Sequence, residues 1–171
     1  MAHIKVVRRS MRPEEWNDLR FGWLKRYIYK EKHEIETFVI REARQVSEMN
    51  FEFYDESPKA LKKGDMYFTP DGTAFIEADY ELPEHLIGQK YCFALKTAAE
   101  MIVKVNGVYV GGIDPNRERL DLSPYIKDSK LHFEIMGYNR SKPDDERNPE
   151  SLSVRGCRQI FEGGYIAVVN E

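Results

Sequence analysis

The sequence predicts a mainly β fold, an antiparallel β-sandwich preceded by an N-terminal amphipathic helix. Short apolar-polar alternations of period two recur along the chain. Turn signals separate them roughly every ten residues, the spacing of a sandwich rather than of alternating β/α units. In Val105-Asn106-Gly107-Val108 two alternating runs meet at an Asn-Gly pair, which tolerates the positive φ values of a tight two-residue hairpin.

Residues 1–33 read as a helical segment. Pro13 suits a first-turn position, and Glu14 and Glu15 suit the positive end of a helix dipole. Trp16, Leu19, Trp23, Leu24, Tyr27 and Ile28 then recur at helical spacing as one apolar stripe. Such a stripe needs a surface to cover it: the sandwich, a neighbouring domain or a second copy of the chain.

Residues 34–171 read as the sandwich. Within 35–53, Phe38 and Ile40 alternate with Val39 and Arg41, and Phe51 and Phe53 flank Glu52. The stretch 54–71, with Pro58, Gly64 and Pro70, reads as a turn-rich wrap over the surface. Strands follow at 73–82, 90–96 and 100–110, the last folded at Asn106-Gly107 and ended by Gly111-Gly112 in a Gly/Asp/Asn-rich loop. A short strand is expected at 120–122, a single turn at Ser123-Pro124-Tyr125-Ile126, and a clean alternation over 131–136. Residues 141–151 read as a polar loop and 165–169 as the closing strand.

At 171 residues the chain is long enough for one domain with a substantial core. A formal charge of −3 gives no long-range attraction for nucleic acid or an anionic membrane. No apolar run approaches the ~18–20 residues that span a bilayer, and Met1-Ala2-His3-Ile4-Lys5 opens no secretory apolar region. Two cysteines, Cys92 and Cys157, make no disulfide framework, so the cytoplasm is the expected compartment.

Signals for chemistry are sparse. His3, His33, His85 and His132 stand singly, without a His-x-x-x-His or Cys-x-x-Cys pair, so no metal or cofactor is expected in this chain. His132, between Leu131 and Phe133, is expected to face solvent from a strand. There is no Gly-x-Ser-x-Gly elbow, and the glycines at 111–112 and 163–164 lack the Gly-Lys-Ser/Thr ending of a phosphate loop. Cys92, between Tyr91 and Phe93, reads as an inert buried thiol. Asp144-Asp145-Glu146 lies among Arg140, Lys142 and Arg147 and reads as a solvated charge run. The cluster that stands out is Asp114, Asn116, Arg117 and Glu118, on the loop beyond the hairpin. Asp114, placed before Pro115, has the chemistry of a residue that caps its own turn. Contact with a sugar or a neighbouring domain is the alternative.

The Asn-Gly hairpin followed by Gly112-Ile113-Asp114-Pro115-Asn116 resembles the accessory β-sandwich that precedes the catalytic domain in alpha-mannosidases of glycoside hydrolase family 38. Pro70-Asp71-Gly72-Thr73-Ala74-Phe75, Glu81-Leu82-Pro83-Glu84 and Gly88-Gln89-Lys90 extend the resemblance over residues 64–122. It implies a galactose-binding-like jelly roll with no catalytic residue of its own. The implied partner is a zinc-dependent catalytic domain following residue 171, which removes alpha-linked mannose from oligosaccharides. The loop 112–118 would then help to shape the substrate entrance. Two other roles fit the residues: a carbohydrate-binding module presenting Tyr109, Asn116 and Arg117, or a dimerisation module using the Trp16–Ile28 stripe.

Overall fold

Residue pairing follows the alternation closely wherever one face of a segment is apolar. The computed structural model describes Arg20 and residues 28–97, 99–125, 129–139 and 159–170. The strands in chain order are β1 (Tyr29–Ile35), β2 (Phe38–Ser47), β3 (Asn50–Phe53), β4 (Lys59–Leu61), β5 (Met66–Tyr67), β6 (Thr73–Glu81) and β7 (Tyr91–Leu95). They continue with β8 (Glu100–Val105), β9 (Val108–Ile113), β10 (Arg119–Asp121), β11 (Lys130–Tyr138), β12 (Gln159–Ile160) and β13 (Gly164–Val169).

Two antiparallel sheets face each other. The larger runs β3-β2-β6-β11-β8-β9 with β4 also paired to β2, and the smaller runs β1-β13-β7-β10. Strand β11 shows why the layers adhere: Leu131, Phe133 and Ile135 are buried while His132, Glu134 and Met136 face outward. Phe133 meets Phe93 of β7 across the sandwich with ring centroids 4.6 Å apart. Ile76, Val103, Ile166 and Val168 complete the same core, so apolar burial from both sheets drives the fold.

The predicted sandwich is observed, with local corrections. The stretch read as a surface wrap is instead a plug, because Leu61, Tyr67 and Phe68 are at most 2% exposed. Tyr67 and Phe38 both set their rings edge-on to Phe161, at 5.6 and 5.0 Å, where the small β5-β12 sheet closes one end. Gly111 and Gly112 do not end their strand; β9 runs on to Ile113. A Cβ at Gly111 would lie 3.0 Å from Leu120 Cδ2, so glycine lets β9 pass close to β10 at the sandwich corner. Strand β1 begins at Tyr29, inside the segment assigned to helix, and pairs with β13 through an irregularity between Tyr29 and Glu31. The helical stripe from Trp16 to Tyr27, the loop 141–151 and Cys157 lie outside the described residues. No helix among the described residues is long and apolar enough to cross a membrane.

Candidate functional site

The outward face of the large sheet departs from the polar pattern expected of a solvated layer. Phe75, Met136, Ile102 and Gly112 are successive register partners across β6, β11, β8 and β9. Phe51 and Phe53 fold over Phe75 with centroids at 5.0 and 5.4 Å, and the Arg41 guanidinium lies 3.7 Å above the Phe53 ring. Ile102 stays 46% exposed, so this apolar band is only partly covered.

A groove of about 420 Å³ opens along that band. Ile102 and Met136 from the central strands line it, with Gln45, Met49 and Phe51 of the β2–β3 hairpin on one flank. Asp114 and Arg117, just past β9, belong to its other flank, and the register partners Glu100 and Tyr138 lie at the strand ends.

The structure thus brings two of the four predicted loop residues to one site. Asp114 performs the expected turn chemistry: its Oδ1 accepts the Asn116 and Arg117 backbone N–H groups at 2.7 and 3.0 Å. Capping therefore fixes the rim of the groove and leaves the Arg117 side chain on it. Asn116 is exposed but does not line the groove. Glu118 does not line the groove, and its carbonyl accepts the Leu95 N–H at 3.1 Å. Its charge acts instead on Lys96, whose pKa is raised chiefly by the Glu162 carboxylate 2.7 Å away. Tyr109 is also outside the groove, with the Lys104 ammonium 4.7 Å from its ring centre.

Gln45, Phe51, Glu100, Ile102, Met136 and Tyr138 escaped the sequence reading. Their signal was present but faint: Phe75, Ile102 and Met136 are apolar at positions whose inward neighbours are already apolar. An apolar floor with an exposed phenol ring, a guanidinium and carboxylates at the rim can stack one face of a sugar while hydrogen-bonding its hydroxyls. It can equally seat apolar side chains of a neighbouring domain. Among the described residues the buried polar side chains are Thr73, Thr97 and Asn139.

Elsewhere, His132 faces outward as expected and its Nδ1 lies 2.8 Å from Asp79 Oδ1. Cys92 is buried, and that burial raises its thiol pKa and disfavours the reactive thiolate. The histidines are less scattered than the sequence implied: His33 and His85 both reach the Glu31 carboxylate.

No family model matches the sequence, and no curated protein matches it. Solved structures do share the fold. An FMN-binding beta-glucuronidase from Faecalibacterium prausnitzii aligns at TM-score 0.56 and 15% identity, over 82% of this chain and 22% of that one. The Ruminococcus gnavus beta-glucuronidase in complex with D-glucaro 1,5-lactone gives TM-score 0.56 and 12% identity, over 84% of this chain and 30% of that one. A calcium-binding mutant of Bacteroides uniformis beta-glucuronidase 2 gives 0.54 and 13%, over 82% of this chain and 18% of that one. The chain therefore spans less than a third of each. These likenesses overturn the family 38 alpha-mannosidase resemblance: the neighbours are beta-glucuronidases, and no sequence family supports the other assignment. The physical reason lies in the motifs. Asn106, Gly107 and Asp71 all have positive φ, and Asp114 caps a turn. Such residues answer to local backbone geometry, which unrelated sandwiches share.

Proposed function

We propose that this chain is a non-catalytic accessory β-sandwich of a glycoside hydrolase, packing through its groove against another domain of the enzyme. The observation that supports this reading is the fold shared with three beta-glucuronidases, of which the chain matches 18–30%. A sandwich occupying so small a part of a hydrolase leaves the chemistry to the remainder. The exposed Ile102 and Met49, at 46% and 79%, are then contact surface for a neighbouring domain.

A second reading rests on the groove's polar rim. Tyr138, 43% exposed, stands beside Glu100 and in the same groove as Arg117, a set suited to a carboxylated or neutral sugar.

The test begins with the chain alone and aryl beta-glucuronide and beta-galactoside substrates. No turnover is expected, and turnover would overturn the accessory role. Ile102→Glu should leave the melting temperature of the isolated sandwich nearly unchanged but lower that of the whole hydrolase polypeptide. Equal behaviour in both contexts would remove the docking role. Amide shifts confined to Gln45, Ile102, Arg117 and Tyr138 on adding glucuronic acid oligosaccharides would favour the sugar reading.

A further inference from the structure

Glu31 and His33 lie two residues apart on β1, an edge strand of the smaller sheet. Period two puts both side chains on one face. His85 comes from the 3-10 turn Glu84–Leu86 between β6 and β7, 54 residues from Glu31. His33 Nε2 and His85 Nε2 each lie 2.9 Å from the same oxygen, Glu31 Oε1. The three potential ligand atoms fall within 4.8 Å of one another.

We propose that Glu31, His33 and His85 form a binding site for a divalent transition-metal ion of the zinc class, which ties the β1 edge to the 3-10 turn. Two imidazoles and a carboxylate are a ligand set that Zn²⁺ accepts, with water completing the tetrahedron. At bond lengths of about 2.0–2.1 Å such an ion spaces its ligands roughly 3.3 Å apart. The two nitrogen–oxygen edges are already near that value. The nitrogen–nitrogen edge closes by rotation of His85, whose side chain is 59% exposed, towards the less exposed His33 at 23%.

The site is independent of the glycosidase reading, and its role is structural. Among the described residues β1 pairs in its sheet with β13 alone, so an ion held by all three side chains strengthens the tie that the Glu31–His85 contact makes to the 3-10 turn.

Chelator-treated protein titrated with zinc chloride in a calorimeter should bind one equivalent at this site and melt several degrees higher. His33→Ala and His85→Ala should each weaken this binding by at least about tenfold, as loss of a ligand should exceed the 10–100-fold typical of supporting partners. His132→Ala should leave it unchanged. Circular dichroism without metal checks that the variants fold. X-ray absorption of the zinc-loaded wild-type chain gives a readout that needs no variant: two imidazoles in the coordination shell are expected. An absence of zinc-dependent heat, unchanged affinity in folded His33→Ala and His85→Ala, or a shell without histidine would each overturn the proposal.

Discussion

Asn106 and His132 hold each other at the end of the β8–β9 hairpin through two hydrogen bonds. The Asn106 backbone N–H donates to the His132 carbonyl at 2.9 Å, and the His132 backbone N–H donates to Asn106 Oδ1 at 2.7 Å. The same side chain's Nδ2 donates to the Lys130 carbonyl at 3.0 Å. Regular pairing of β8 with β11 ends at Val105 and Phe133, so the amide side chain carries the ladder past the last residue pair. Asn106 therefore does two jobs, adopting φ of 50° in the turn and stitching the turn to β11.

Replacing Asn106 by Gly separates those jobs. Glycine keeps the positive φ but loses both side-chain bonds, each worth about 0.5–1.5 kcal/mol net. Asn106→Gly should lower unfolding free energy by about 1–3 kcal/mol in urea titration, with an unchanged denaturant slope. A loss within experimental error would show that solvent replaces the amide at no cost.

At the opposite end of β9, Asp114 closes its turn twice over. Backbone bonds join Asp114 N–H to the Arg117 carbonyl at 3.1 Å and Arg117 N–H to the Asp114 carbonyl at 3.0 Å, and the carboxylate accepts two more. Asp114→Ala should cost about 1–2 kcal/mol, while Asp114→Asn, which keeps an acceptor oxygen, should recover most of it. Amide hydrogen exchange at Asn116 and Arg117 should quicken in the alanine variant alone.

These two turns mark how far the sequence could be read. Strands show through wherever one face is buried: Leu131, Phe133 and Ile135 announce β11, and Met101, Val103 and Val105 announce β8. The plug formed by Leu61, Tyr67 and Phe68 has no period, and its burial depends on Phe161, which arrives from the far end of the chain. The groove was half legible, because Asp114 and Arg117 are sequence neighbours whereas Gln45 and Tyr138 reach it only through sheet register. Glu31 and His85 meet across a sheet edge, which no local spacing encodes.

Gly137 is a packing glycine in β11. A Cβ there would meet Phe68 Cζ at 2.7 Å and Met101 Cγ at 2.8 Å. Phe68 has little room to yield: it is fully buried at φ 67°, and its carbonyl accepts Asn139 Nδ2 at 3.0 Å. Gly137→Ala should therefore destabilise by about 1–3 kcal/mol despite the gain in strand propensity. Adding Met101→Ala should relieve part of that clash. A double-mutant cycle should return a favourable coupling energy, and strict additivity would place the strain elsewhere.

Alkaline pH should unfold the chain through its tyrosines. Burial, the largest cause in both cases, raises Tyr67 and Tyr91 to about 12, and it raises Tyr29 and Tyr80 as well. At Tyr67 the nearby Thr97 side chain opposes the rise, and the Glu162 charge adds to it. An unfolded tyrosine ionises near pH 10. The folded state therefore holds these protons more tightly, and the sign follows: their contribution is complete below about pH 10 and disappears as pH rises to about 12. Near-ultraviolet titration should show Tyr67 and Tyr91 still protonated at pH values where an unfolded tyrosine ionises. The buried set should ionise in one cooperative step that coincides with unfolding. Ionisation of every tyrosine in a single early step, with the sheet signal intact, would contradict the burial that the core assigns to Tyr67 and Tyr91.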